Sequence, residues 1–300
     1  MDWDDLRLFL AVAREGRMLG AAQRLGVSQA RLSRHMAALE AAAGARLLER
    51  TTRGSTLTPE GEALMAAATR METEALAALE AVRGPGTLTG TVRIGAPDGF
   101  GSLFLAPRLS ALRAAHPGLR VQLVPVPRAF SLSEREADLA VMVGRPGKGR
   151  LRVRKLTDYT LGLYASKNYL SAYGRPKSVR ALHDHALVGY VEDLLHTAEL
   201  DYAREIWPNW RSAVEVATAV GQVEAVAAGS GIGVLHDFMA ATRPGLVRLM
   251  PERAVTRTYW MVWHENVARA PRVQAAADFL AGAVRAERAL FALAPTRPAP

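Results

Sequence analysis

The chain has no cysteine, which excludes disulfide frameworks, thiolate zinc sites and cysteine nucleophiles. It also lacks a long apolar run. The longest stretch free of charge and strong polarity, Ala225–Leu235, is broken by Gly and Ser and is far too short to span a bilayer. A basic leader is missing too: Met1-Asp2-Trp3-Asp4-Asp5 is acidic, the opposite of a signal-peptide start. These absences predict a soluble, cytoplasmic protein with no membrane partner, no metal and no cofactor.

What is present suffices for two or three compact units. Of 300 residues 49% are hydrophobic and 22% charged, so the chain buries real cores and is not disordered. The net charge of +9 suggests nucleic acid, but bulk charge does not locate it. Residues 1–90 hold 11 Arg, no Lys and 11 acidic residues, whereas residues 91–300 hold 27 basic and 18 acidic. The local pattern is sharper. Arg17, Arg24, Arg31, Arg34, Arg46, Arg50 and Arg53 stand against only Glu40 and Glu49, and salt screening beyond roughly 8–10 Å makes such a local cluster count.

Residues 1–83 read as mostly helix, and Gly84-Pro85-Gly86 ends that pattern. Trp3–Ala13 places Leu6, Phe9, Leu10 and Ala13 on one face. Ala21, Ala22 and Leu25 make a short second helix, and Ser28 caps a third that closes at Gly44. On the third helix Leu32, Met36, Leu39 and Ala43 form the buried stripe. The other face carries Ala30, Arg31, Arg34, Ala37, Ala38 and Ala41. Small residues with two arginines suit close entry into a DNA major groove; the alternative is an ordinary three-helix bundle. Pro59 opens a long helix to about Val82, on which Leu64, Ala68, Met71, Ala75, Ala78 and Val82, thickened by Leu79, form a coiled-coil-like seam. Such a helix needs a partner, either a second copy or the chain's own domain. Beyond residue 86, strands Thr91–Gly95, Arg120–Val124 and Leu139–Val143 alternate with helices, predicting a largely parallel sheet. The fold class is therefore α/β with an all-α N-terminal part.

The combination Phe9, Ala21-Ala22, Leu25, Val27-Ser28-Gln29, Ser33, Leu39-Glu40, Gly44, Leu47, Glu49-Arg50-Thr51 and Leu57-Thr58-Pro59-Glu60-Gly61 resembles the LysR-type transcriptional regulators. The resemblance extends over nearly the whole chain. It implies a winged helix-turn-helix over 1–58, a dimerisation helix and hinge over 59–86, and an effector-binding domain like the periplasmic binding proteins over 87–300. Lobe one is expected over 88–162 and 267–292, lobe two over 163–266, with crossings near Leu161–Ala165 and Met261–Glu265. By resemblance Ser28, Gln29, Arg31, Ser33 and Arg34 face double-stranded promoter DNA from the recognition helix, and Arg50, Thr51 and Arg53 from the wing. Gln pairs well with adenine and Arg with guanine, while Ser, Thr and wing Arg suit phosphates; Ser28 has the alternative role of a cap alone. Leu64, Met71, Leu79 and Val82 are expected to pair two chains. The family also implies a homodimer or homotetramer that bends DNA, contacts RNA polymerase and answers a small-molecule effector. The arginine excess, 34 against 4 lysines, with so much alanine, suggests a GC-rich bacterial genome.

Ligands of this fold sit at strand C-termini and helix N-termini. Two such places are the stretch from Asp98 through Phe100 to Ser102, and Thr218 before a helix of lobe two. Arg128, Phe130, Val143, Tyr190 and His236 are expected to complete the walls. Asp98 either caps its helix or faces the ligand, where it disfavours a carboxylate and suits an amine, a hydroxyl or an aromatic polyol; Arg128 pulls the other way.

Enzymatic readings fare worse. Gly229-Ser230-Gly231-Ile232-Gly233 is spaced somewhat like a nucleophile elbow or a dinucleotide loop, but residue 228 is Ala and residue 234 is Val. His183-Asp184-His185 has no supporting ligand cluster. A solute-binding module alone would leave the first sixty residues without a role.

Overall fold

Asp2 starts the fold. Its side chain accepts from the Asp4 amide while Asp5 accepts from the Asp2 amide, a capping box that opens α1 (Trp3–Glu15). Helices α2 (Met18–Leu25) and α3 (Gln29–Ala43) follow, ended by Gly26 and Gly44. Their inward faces make one core: Leu6, Phe9 and Val12 of α1, Ala21 and Ala22 of α2, and Leu32, Met36 and Leu39 of α3. The antiparallel wing pairs β1 (Leu48–Thr51) with β2 (Gly54–Leu57), setting Leu48 opposite Leu57. Thr58 then caps the long helix α4 (Pro59–Arg83): its hydroxyl donates to the Arg46 carbonyl at 2.7 Å and accepts from the Gly61 amide at 3.0 Å. A side chain at Gly61 would meet the Leu47 carbonyl oxygen at 2.1 Å, so glycine is what lets α4 start this close to the wing.

The computed structural model describes residues 2–51, 54–83, 88–126, 137–147, 150–195, 197–268 and 270–291. They form two units: residues 1–87 with Glu265–Pro271, and the remainder. The expected seam of α4 divides in the first unit. Met65 and Ala68 are buried in the helix-turn-helix core, and Leu64 packs against it. Leu64 therefore serves its own domain, because the apolar side of α1 lies against the first turns of α4. Met71, Ala75 and Ala78 remain exposed. The side chains of Leu79 and Val82 lie outside the described residues.

The second unit is built on one mixed sheet of eight strands. In chain order its elements are β3 (Gly90–Ala96), α5 (Leu109–Ala115), β4 (Leu119–Pro125), β5 (Leu139–Val143), β6 (Leu151–Ser166), α6 (Lys167–Tyr173), β7 (Leu187–Gly189), α7 (Tyr202–Ile206), β8 (Val214–Glu215), α8 (Ala219–Ala227), β9 (Ile232–His236), α9 (Asp237–Ala240), β10 (Leu246–His264), α10 (Pro271–Ala286) and α11 (Arg288–Phe291). Strand order is β4-β3-β5-β10-β6-β9-β7-β8. The outer strands on each side are parallel, and the long antiparallel pair β6–β10 runs through both halves.

That pair shifts the expected crossings. Leu161–Tyr164 already pair with β9, so β6 changes halves before Leu161. On β10, Tyr259–Trp263 pair with β5 of the first half, so the change lies well before Met261–Glu265. Val255 still pairs with Leu161 in the half that holds β9, so the change falls between Val255 and Tyr259. Alternation of inward and outward residues continues along a strand whichever neighbour it pairs with, so residue pattern carries no sign of the change.

Candidate functional site

In the first unit the candidate surface is the outer face of α3. Leu32 and Leu39 are fully buried on one side, while Gln29, Ala30, Arg31, Arg34, Ala37 and Ala38 are exposed on the other and Ser33 is half-buried. The Ser28 hydroxyl accepts from the Arg31 amide at 3.2 Å, so Ser28 is a genuine cap, whatever else it touches. Other arginines of this unit are committed, Arg14 to Glu72 and Arg24 to Glu15. Arg31 and Arg34 enter no ion pair among the described residues, which leaves two cations on a face of small side chains. Such a face accepts an anionic partner at short range. The side chains of Arg50 and Thr51, and all of Arg53, lie outside the described residues.

Two residues here act otherwise than their sequence context suggests. Glu40, counted against the arginine cluster, accepts from the Leu47 and Leu48 amides at 2.8 and 3.2 Å and so fixes the start of the wing. His35 lies on α3 but its Nδ1 is 2.7 Å from Asp5 Oδ1. The hydrogen bond from His35 holds the Asp5 carboxyl below the usual aspartate range.

In the second unit the site lies where the two halves of the sheet meet. Asp98 follows β3 and is buried. Its carboxylate accepts from the Val220 amide at 3.0 Å, at the N-terminus of α8 in the opposite half. The alternative of a cap for its own helix or a ligand partner therefore misses the contact it makes across the cleft. Burial pushes the Asp98 carboxyl above the usual range, and the amides of Val220, Gly99 and Ala219 offset part of that. The Thr218 hydroxyl accepts from the Gly221 amide at 3.1 Å, capping α8. Gly99 lets the halves touch: a Cβ there would lie 2.5 Å from Met239 Sδ.

His236 is buried and stacked on Tyr159, with ring centroids 5.2 Å apart. Burial pushes its pKa down to about 3, so the ring is neutral. Tyr159 stacks in turn on Tyr259 at 4.0 Å, and Tyr202 meets both His236 and Tyr190 edge-on. Tyr190 is half-buried, Val143 is half-buried opposite Tyr259, and Ser102 is half-buried. Phe100, expected on the wall, is instead fully buried against Phe104, Tyr259 and Phe291, because the turn after β3 directs it into the core. Arg128 and Phe130 lie outside the described residues.

The tyrosine wall was invisible in the sequence. Tyr159 and Tyr259 lie a hundred residues apart and meet only because β6 pairs with β10, where Arg257 stands opposite Tyr159. Asp237 was equally silent. It is fully buried and accepts from Tyr164 Oη at 2.7 Å and from Thr160, with Arg248 Nη1 at 3.2 Å.

Comparison with known proteins agrees with both halves of this description. Residues 3–62 match the model of the bacterial regulatory helix-turn-helix protein, lysR family, and residues 85–285 match the LysR substrate binding domain. The HTH-type transcriptional regulator PtxR of Pseudomonas aeruginosa is 32% identical over 84% of this chain and 82% of its own. The regulator CrgA of Neisseria meningitidis serogroup C is 28% identical over 92% of this chain and 95% of its own. A CrgA structure superposes with a TM-score of 0.59 at 25% identity, over 94% of this chain and 98% of that one. Full-length LysG of Corynebacterium glutamicum with bound effector Arg has the same fold, with a TM-score of 0.65 at 21% identity over 95% and 99%. A capped helix with uncommitted arginines and a two-half sheet joined through Asp98 thus occur together on one chain, and that chain belongs to the LysR family of DNA-binding transcriptional regulators, with an effector-binding domain in place of an enzyme's active site.

Proposed function

We propose that this regulator reads promoter DNA with the outer face of α3. Gln29 and Arg34 address base edges, Ser28, Arg31 and Ser33 hold the helix in register, and Arg50, Thr51 and Arg53 of the wing grip phosphates. The observation that carries the reading is the pair Arg31 and Arg34, exposed and uncommitted on a surface of otherwise small or neutral side chains. The exposed positions Met71, Ala75 and Ala78 of α4, with Leu79 and Val82, form the pairing face of a homodimer that assembles to a homotetramer in the cytoplasm. The effector binds between the two halves of the second unit, against Asp98, Ser102, Arg128, Phe130, Val143, Tyr190, Thr218 and His236, with Phe100 behind them. Its binding shifts the population between two arrangements of the halves, which alters the DNA bend and the contact with RNA polymerase. That shift requires different effector affinity for the two states.

A gel shift on the promoter region adjoining its own gene, repeated over a salt series, tests the reading. Retardation that weakens linearly in log salt and outlasts competitor DNA is expected. Equal retardation of every duplex would remove the specific role of α3.

A further inference from the structure

The two halves of the second unit meet through more than the strands they share. Helix α8 opens with first-turn amides that have no partner inside the helix. Thr218, in the same half, takes the Gly221 amide at 3.1 Å. The Val220 amide donates instead to Asp98 Oδ2 at 3.0 Å, a carboxylate that follows β3 in the other half. One helix start is thus capped by one side chain from each half. The backbone beside Asp98 approaches the same place: a Cβ at Gly99 would lie 2.5 Å from Met239 Sδ and 3.6 Å from the Ala219 Cβ. Contact recurs after β5. Gly144, at φ 78°, lies so close to Glu199 that a Cβ there would be 2.9 Å from Glu199 Oε1. Arg257 Nε of β10 holds that loop by donating to the Glu199 carbonyl at 2.8 Å.

These contacts differ in kind. Gly99 and Gly144 permit close approach but supply little attraction, whereas Asp98 makes a charge-assisted hydrogen bond from one half to the other. The bond also carries its own opposition. Bringing the halves together takes the carboxylate out of water, and that burial pushes the Asp98 carboxyl above the usual aspartate range. Such a contact biases an equilibrium between two arrangements and still releases. We propose that Asp98 is a latch, a side chain of one half that grips the start of α8 in the other and so sets how the halves rest before an effector binds. This rests on the reading of the cleft as the effector site. An effector that enters between the halves has to break the Asp98–Val220 bond, and its apparent affinity is lowered by the fraction of chains still latched.

The test uses the full chain without added metabolite. Asp98→Ala removes the acceptor and Asp98→Asn keeps one. Amide hydrogen exchange read at single residues is expected to accelerate at Val220 by about tenfold or more in Asp98→Ala, and by less than about threefold in Asp98→Asn. Gly221, held by Thr218 of its own half, should keep its wild-type rate in both. Thr218→Val should reverse the pattern, accelerating Gly221 but not Val220, and it keeps the comparison standing if Asp98→Ala fails to fold. The absence of cysteine lets Arg113→Cys on α5 and Arg211→Cys, exposed in opposite halves, carry a pair of spin labels. Their distance distribution should lengthen or broaden in Asp98→Ala, and the operator bend should shift by about 10° or more. An unchanged Val220 rate in Asp98→Ala would overturn the latch. Equal acceleration of Val220 and Gly221 in either variant would also overturn it, since Asp98 would then brace α8 alone. A broken bond with unchanged label distance and bend would show that it holds nothing. None of these readouts needs an effector. A working latch in a chain that no metabolite stabilises would remove the effector reading alone, and a chain that a metabolite stabilises but whose Val220 rate ignores Asp98 would remove the latch alone.

Discussion

Arg34 and Arg53 should lose binding in different ways when truncated. Arg34 projects from the outer face of α3, where a bidentate contact to guanine is available. Arg34→Ala is expected to cost about 1–3 kcal/mol on the preferred operator and to relax preference at one base position. Arg53→Ala should weaken all sequences alike and flatten the salt slope by about one unit. Fluorescence anisotropy on a set of single-base operator variants, at several salt concentrations, distinguishes them; identical, sequence-blind losses would cancel the assigned roles. Asp5 makes a second residue-scale case. Its bond from His35 favours the charged carboxylate, so its folded pKa lies below the unfolded one. In that interval the unfolded chain binds more protons. The stability Asp5 contributes is therefore present above the ordinary aspartate value and lost as pH falls through the depressed one. Asp5→Asn should flatten the decline in melting temperature of the DNA-binding unit below about pH 4; an unchanged slope would assign the acid sensitivity to other carboxylates.

At the scale of elements, the two ends of α4 lie in different surroundings. Its first turns are part of the helix-turn-helix core through Leu64, Met65 and Ala68, whereas Met71 lies exposed farther along. Met71→Glu should therefore leave folding intact and weaken self-association, since charge in an apolar seam is costly. Leu64→Glu should instead lower the melting temperature of the DNA-binding unit, by roughly 1–3 kcal/mol in stability. Sedimentation and thermal melts on both variants check this. A dimer unaffected by Met71→Glu would place the interface elsewhere.

Across the whole second unit, β6 and β10 are the elements shared by both halves, and the Asp237 cluster fastens them at the change. Thr160 and Tyr164 come from β6, Arg248 from β10, and Asp237 opens α9. Removing one member of a buried pair leaves a charge without compensation. Arg248→Gln is expected to cost about 3–5 kcal/mol in a denaturant titration. Tyr164→Phe, which removes one neutral donor, should cost about 1–3 kcal/mol. If the two variants lost equal stability, the ion pair would carry no more weight than a single hydrogen bond.

The sequence alone determined what is local. Ser28, Gly44, Thr58 and Pro59 fix the ends of α3 and the start of α4 through backbone groups a few residues away, and 3.6-residue spacing sorts Leu32, Met36 and Leu39 from Arg31 and Arg34. The same periodicity could not divide the seam of α4, because an apolar residue looks alike whether its neighbour is the same chain or another. Nor could it find the cleft. Asp98 and Val220 are 122 residues apart and Tyr159 and Tyr259 a hundred, and each pair meets only when two strands traverse both halves of one sheet. Tertiary structure decided those contacts, since burial and charge compensation depend on which distant groups share a low-dielectric space, and residue spacing along the chain does not record that.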